Sequence, residues 1–184
     1  MTAAPQGDFI GVDEYLEGEL GSGIRHEYIG GRVYAMGGAS RAHGSVVTAL
    51  TLGLGPSARE TRCQLFVADM KVRLRIQGQD VFYYPDLVLT CDPDDRETYW
   101  CTRPCLIVEV LSPATERIDR GEKRLAYQTL DSLREYLLVA QDRPRVEVYR
   151  RARDWRREIH GEGSVHLDCL DLDLPLAEIY AGVV

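Results

Sequence analysis

Two carboxylates stand where carboxylates are costly. Asp86 follows Pro85 in the apolar run Val81-Phe82-Tyr83-Tyr84-Pro85-Asp86-Leu87-Val88-Leu89, and Glu109 interrupts Leu106-Ile107-Val108-Glu109-Val110-Leu111. Both runs are short, rich in β-branched residues and bounded by turn formers, so both read as buried strands. A carboxylate in such a strand must be neutralised, hydrogen-bonded or paired with a cation. Two on neighbouring strands repel unless a metal ion sits between them. Mg²⁺ or Mn²⁺ prefers oxygen ligands and fills its remaining positions with water. Asp86 and Glu109 can supply such a site, with the carbonyl of Val110 as a natural third ligand. A metal held there would polarise a phosphoryl oxygen and lower the pKa of a bound water. Lys123, on the helix that follows, could orient that water or offset charge on the phosphate.

Each of these residues also has a plainer reading. Asp86 could end a strand after a proline bulge, hydrogen-bonded to Tyr83 or Tyr84. Glu109 could be half of a buried pair with an arginine, and Lys123 could be a solvated helix residue. Lysine is scarce, however: of 22 basic residues only Lys71 and Lys123 are lysine. Arginine cannot replace a lysine that must act as a compact charge or lose a proton. Glu27 reads as a cross-strand ion-pair partner on a hairpin or as a further carboxylate of the same site. His43 reads as a core histidine, Asp69 as facing either the cleft or solvent, and Asp119 as a helix cap. Tyr127, one turn after Lys123, flanks the site or packs.

The elements that must position these residues follow from periodicity. A short acidic helix spans Val12 to Leu20, and Gly30-Gly31 joins two hairpin strands over residues 25–29 and 32–36. Ser40 caps a helix carrying His43, Val46, Val47, Leu50 and Leu54, which Gly55-Pro56 breaks or kinks. Strands are expected over 64–76 and 80–90, a loop over 91–104, and a strand over 105–111. A helix follows from Asp119 to about Leu130, with Asp119 and Glu122 as a capping box and a buried stripe of Ile118, Glu122, Leu125, Ala126 and Thr129, Lys123 at its border. Strands recur over 135–140, 145–150, 155–160 and 165–167, and Pro175 opens a last short helix. Helices interleaved with strands imply an α/β domain, a mixed sheet flanked by helices.

The residues Pro85-Asp86, Glu109-Val110-Leu111-Ser112-Pro113-Ala114-Thr115 and Asp119-x-x-x-Lys123-x-x-x-Tyr127 together resemble the Uma-two family of the restriction-endonuclease-like PD-(D/E)XK superfamily. Glu27 with Gly31, Met36 before Gly37-Gly38-Ala39-Ser40, His43 and Glu135-Tyr136 match as well. The resemblance spans about Arg25 to Tyr149. It implies a restriction-endonuclease-like core with Asp86 and Glu109 as metal ligands, and establishes no substrate; joined to the placement of Asp86, Glu109 and Lys123, it leads to the expectation of a metal-dependent nuclease acting on DNA. The superfamily's lysine two residues after the acid is Leu111 here, and Lys123 is its migrated substitute. Asp86, Glu109, Lys123 and Glu27 form the candidate catalytic set. The alternative is a catalytically degenerate member of the fold, serving as a binding or assembly module.

Composition bounds the rest. At 184 residues with 45% apolar content, the chain fits one domain over residues 1–184, with residues 1–23 as a helical extension. No apolar run is long enough for a membrane span and no secretory signal is visible, so a cytoplasmic protein is expected. A homodimer is expected if both strands of a duplex are cut. The formal charge of −7 argues against a general nucleic-acid coat. Seven arginines lie between Arg143 and Arg157, read as a solvated hairpin or a phosphate-binding surface. Cys63, Cys91, Cys101, Cys105 and Cys169 are odd in number and irregular in spacing, so reduced thiols are expected rather than disulfides; Cys101 and Cys105 alone make half of a zinc site.

Overall fold

The computed structural model describes residues 9–183. Helix α1 (Val12–Gly21) precedes the hairpin of β1 (His26–Ile29) and β2 (Arg32–Ala35). Gly30 and Gly31 hold its turn at φ of 53° and 93°, backbone that glycine adopts without strain. Helix α2 (Arg41–Glu60) starts as expected, with the Ser40 side chain accepting the His43 amide. It does not break at Gly55-Pro56 but runs through Pro56. Leu52 and Pro56 are both exposed, so the carbonyl that proline leaves without a donor faces water.

The two long strands expected over 64–76 and 80–90 each break into two. They are β3 (Gln64–Val67), β4 (Lys71–Ile76), β5 (Gln79–Tyr83) and β6 (Leu87–Thr90). Ala68 turns one corner at φ 59°, and Tyr84-Pro85-Asp86 turns the other. The Ala68 amide donates to the Asp86 carbonyl at 2.9 Å, fastening the corners together. At each corner the chain passes between a six-stranded and a five-stranded sheet.

Strands β7 (Trp100–Cys101) and β8 (Leu106–Leu111) follow, then a helix in three parts: α3 (Glu116–Ile118), a π turn (Asp119–Lys123) and α4 (Arg124–Tyr127). The chain continues through β9 (Glu135–Ala140), β10 (Val146–Arg150), β11 (Arg157–His160), β12 (Ser164–Leu167), β13 (Leu172–Pro175) and α5 (Leu176–Ile179). Strand β13 is not apparent from the sequence. The larger sheet runs β11-β10-β9-β8-β6-β3, the smaller β2-β1-β5-β4-β7, and β12-β13 form a separate hairpin. Strands β8 and β9 are parallel, with a helical crossover between them.

Strand β8 is buried on both faces, and its alternation assigns them. Leu106, Val108 and Val110 pack with Val46, Leu50 and Leu54 of α2. Ile107 and Leu111 face the opposite way, with Ala126 and Tyr127 of α4 and with Val72, Leu74 and Val81 of the smaller sheet. Glu109 lies between Ile107 and Leu111, on that second face. Helix α1 covers the smaller sheet through Tyr15, stacked on Tyr28 with ring centroids 4.9 Å apart.

The cysteines depart from expectation. Cys63 is bonded to Cys91 and Cys105 to Cys169, leaving Cys101 buried and free. The partners are 28 and 64 residues apart in sequence. Pairing of β3 with β6 brings the first two together, so linear spacing hides them. With Cys105 committed to Cys169, Cys101 and Cys105 do not form a common zinc half-site. Among the described residues no helix is long and apolar enough to cross a membrane.

Candidate functional site

The β6–β8 ladder ends by pairing Leu87 with Val108. One step further, at the corner, Asp86 stands beside Glu109. Asp86 Oδ2 accepts the Val110 amide at 2.7 Å and lies 3.2 Å from His43 Nε2. His43 is therefore not a core histidine: Ser40 starts α2 where its first turn meets the corner. Its pKa is raised, first by the hydrogen bond to Asp86, against the opposing effect of burial, with the Val110 carbonyl also drawing on the ring.

Glu109, 4% exposed, is held from the crossover helix. Its Oε1 accepts from Lys123 Nζ at 3.2 Å and from the Tyr127 hydroxyl at 3.3 Å. Lys123 Nζ is also 2.8 Å from Glu27 Oε1 and 3.6 Å from Asp119 Oδ1. Glu27 thus reaches into the cluster instead of forming a cross-strand pair. Among the described residues no arginine partners Glu109. Burial alone would lower the Lys123 pKa, but Glu109, Glu27 and Asp119 overcompensate and raise it, so the ammonium stays charged. Burial pushes the Glu109 pKa well up; Lys123 offsets part of this, and Asp119, Asp86 and Glu27 add to it.

The crossover helix differs from the expected one in start and phase. It begins at Glu116, so Asp119 does not cap it but lies in its second turn, 2% exposed. The buried residues are Asp119, Lys123, Ala126 and Tyr127, whereas Leu125 of the expected stripe is 58% exposed. The π turn is the reason: i to i+5 bonding widens the helix and rotates the face that follows. Tyr136 donates its hydroxyl to the Asp119 carbonyl at 3.0 Å, pinning that turn. Lys123 is thus placed at the centre of the buried face.

Asp69 lies elsewhere, 71% exposed and paired with Arg25. Most of the arginine cluster is committed internally. Arg145 bonds Glu147 at 3.0 Å, Arg150 bonds Glu135 at 3.2 Å and Glu158 at 2.6 Å, and Arg153 bonds Glu158 at 2.9 Å. Arg151 donates to the carbonyls of Leu133, Gln128 and Leu130.

Four carboxylates, Glu27, Asp86, Glu109 and Asp119, therefore surround one lysine and one histidine. Asp119 Oδ1 is buried without a hydrogen-bond partner. Among the described residues no three His, Cys, Asp or Glu side chains converge as a metal-binding group. The donors are nonetheless oxygen atoms, the kind a hard divalent cation takes.

Residues 12–177 match the family model Uma2, described as "Putative restriction endonuclease". The chain belongs to this family. Two uncharacterized proteins of Synechocystis sp. (strain ATCC 27184 / PCC 6803 / Kazusa) are similar to it. One, slr1290, is 37% identical over 95% of this chain and 93% of its own length. The other, sll1609, is 32% identical over 82% and 88%. The fold is restriction-endonuclease-like. It matches the crystal structure of "a putative nuclease belonging to DUF820" from Anabaena variabilis ATCC 29413, with a TM-score of 0.75, 16% identity and coverage of 95% of this chain and 99% of that one. Within this Uma2 chain, sequence motifs reach Asp86, Glu109, Lys123 and Glu27. They do not reveal the burial of Asp119 or the bond from His43 to Asp86, both of which depend on where the two helices start.

Proposed function

We propose that this Uma2 protein is a metal-dependent phosphodiesterase that cleaves DNA. The observation that carries the reading is the buried surplus of carboxylate around Lys123. Structural burial of charge normally brings a matching cation; here Glu109, Glu27 and Asp119 share one ammonium. Asp86, Glu109 and the Val110 carbonyl would hold Mg²⁺ or Mn²⁺, which when bound would supply a Lewis acid and an acidified water. His43 and the Val110 amide fix the Asp86 carboxylate, and Tyr127 fixes that of Glu109. Lys123 would offset charge developing on the phosphate. The family's description as "Putative restriction endonuclease" and the fold shared with "a putative nuclease" support this reading. Cutting both strands of a duplex would call for a twofold homodimer.

Mn²⁺ added to the protein in a calorimeter is expected to give a saturable heat that the Glu109→Gln variant loses. Equal heats from parent and variant would remove the metal site. One observation favours a second reading, a non-catalytic binding module: Lys123 already bonds the Glu109 carboxylate that would be offered to the metal. That reading expects a folded protein with neither metal-dependent heat nor cleavage.

A further inference from the structure

Lys123 and a metal ion would both draw on the Glu109 carboxylate, whose Oε1 already holds the ammonium. The ammonium has three donors, directed at Glu27 Oε1 at 2.8 Å, Glu109 Oε1 at 3.2 Å and Asp119 Oδ1 at 3.6 Å. The third distance is too long for a hydrogen bond. The oxygen at its far end is also the buried Asp119 atom that has no hydrogen-bond partner. An unsatisfied buried carboxylate oxygen is costly to keep. Here it lies within a few tenths of an ångström of a bond to a charge already present. The π turn sets Asp119 and Lys123 on one buried face, and the Tyr136 hydroxyl holds the Asp119 backbone, so the movable partner is the lysine stem.

We infer that Asp119 is a positioning residue: it receives the Lys123 ammonium when a divalent cation takes Glu109, keeping the lysine beside the phosphate site. This rests on the metal-site reading above. In the structure Lys123 bridges Glu27 and Glu109. With metal on Glu109 it bridges Glu27 and Asp119. Metal and lysine then occupy the site together because a second anchor is waiting.

The chain has only two lysines, so protein labelled with ¹³Cε,¹⁵Nζ-lysine gives two side-chain signals, with Lys71 as the internal reference. Mg²⁺ is expected to shift the Lys123 signal in the parent and leave that of Lys71 in place. In Asp119→Asn the Mg²⁺-loaded Lys123 signal should narrow to that of a loosely held amine. Mg²⁺ affinity measured by calorimetry should fall by roughly tenfold, the scale of a lost supporting contact around a metal ligand. Asp119→Glu, which restores the charge, should recover the affinity. Melting curves of the metal-free variants establish that each is folded. If Mg²⁺ binds the parent but the Lys123 signal and the affinity are the same in Asp119→Asn, this inference is overturned and the metal site stands. If Mg²⁺ produces neither heat nor shift in the parent, both are overturned.

Discussion

The two faces of the crossover helix handle buried charge in opposite ways. On the β9–β10 side, Glu147 is 1% exposed and accepts from Arg120 at 2.6 Å and Arg145 at 3.0 Å. Through the sheet, on the face turned from the helix toward α2, Glu135, 0% exposed, is likewise met by Arg150. On the β8 side, three carboxylates share Lys123, and one buried oxygen has no hydrogen bond at all. The first arrangement is what stability asks of a buried carboxylate, a planar guanidinium that saturates it. The second gathers three buried carboxyl groups around one ammonium, the kind of cluster that functional sites collect more often than structural ones. Arginine is abundant in this chain, so the lysine at the centre is not explained by a shortage of alternatives.

The largest expected effect falls on the β8 side. Asp86→Ala and Glu109→Gln should each cut DNA cleavage by roughly a thousandfold or more while the protein still melts cooperatively. A residual rate within tenfold of the parent would make the carboxylates structural. Lys123→Met should slow cleavage by about a hundredfold, and Lys123→Arg should be slow too, because a fork does not fit where a point charge sits. Since Lys123 is buried among carboxylates, the Met variant should also melt lower at neutral pH. Equal rates in parent, Arg and Met proteins would return Lys123 to a packing role.

On the β9–β10 side the effect should be on stability alone. Arg150→Met strands buried Glu135 and should cost about 3–5 kcal/mol in denaturant unfolding, with the cleavage rate of the folded fraction unchanged. A stable variant, or a slow one, would contradict the contrast between arginine-matched carboxylates and the Lys123 cluster.

Acid should separate them by sign. Burial raises the Glu109 pKa, so its contribution to stability is full below the ordinary 4.5 and drains away as pH rises through its folded value. For Glu147 burial is outweighed by the bonds from Arg120 and Arg145, which lower the pKa. Its contribution is present above 4.5 and is lost as pH falls through the depressed value. Relative to the parent, Glu109→Gln should therefore gain melting temperature as pH rises from about 4 to 8, and Glu147→Gln should lose it. Parallel curves for the two variants would contradict the assignment. The smallest effect concerns the arginine hairpin: with Arg145 and Arg150 committed to Glu147 and Glu135, replacing them should leave the salt dependence of DNA affinity unchanged. A flatter slope would make the hairpin a phosphate surface.

The sequence discloses what is local and periodic. The apolar runs announce β6 and β8 because a carboxylate inside such a run is conspicuous, and Gly30-Gly31 announces its hairpin because few residues tolerate that backbone. Corners are harder to read. Ala68 and Pro85 divide strands whose patterning continues across the break, since the chain leaves one buried face directly for another. The π turn is invisible to a 3.6-residue period, and it moves Lys123 from the border of the buried face to its centre and brings Asp119 with it. The disulfides are hidden because strand pairing, not spacing, brings the cysteines together. The site is thus legible residue by residue, but its company of His43, Asp119 and Tyr127 is a property of the fold.

In the proposed function the carboxylate cluster serves a divalent metal in DNA cleavage. Supercoiled plasmid incubated with the purified protein across an Mg²⁺ titration, beside Asp86→Ala prepared identically, tests it most directly. Nicked and linear DNA should appear with Mg²⁺, disappear with a chelator and be absent from the variant. Intact plasmid at every Mg²⁺ and Mn²⁺ concentration, or equal cleavage by Asp86→Ala, would contradict it.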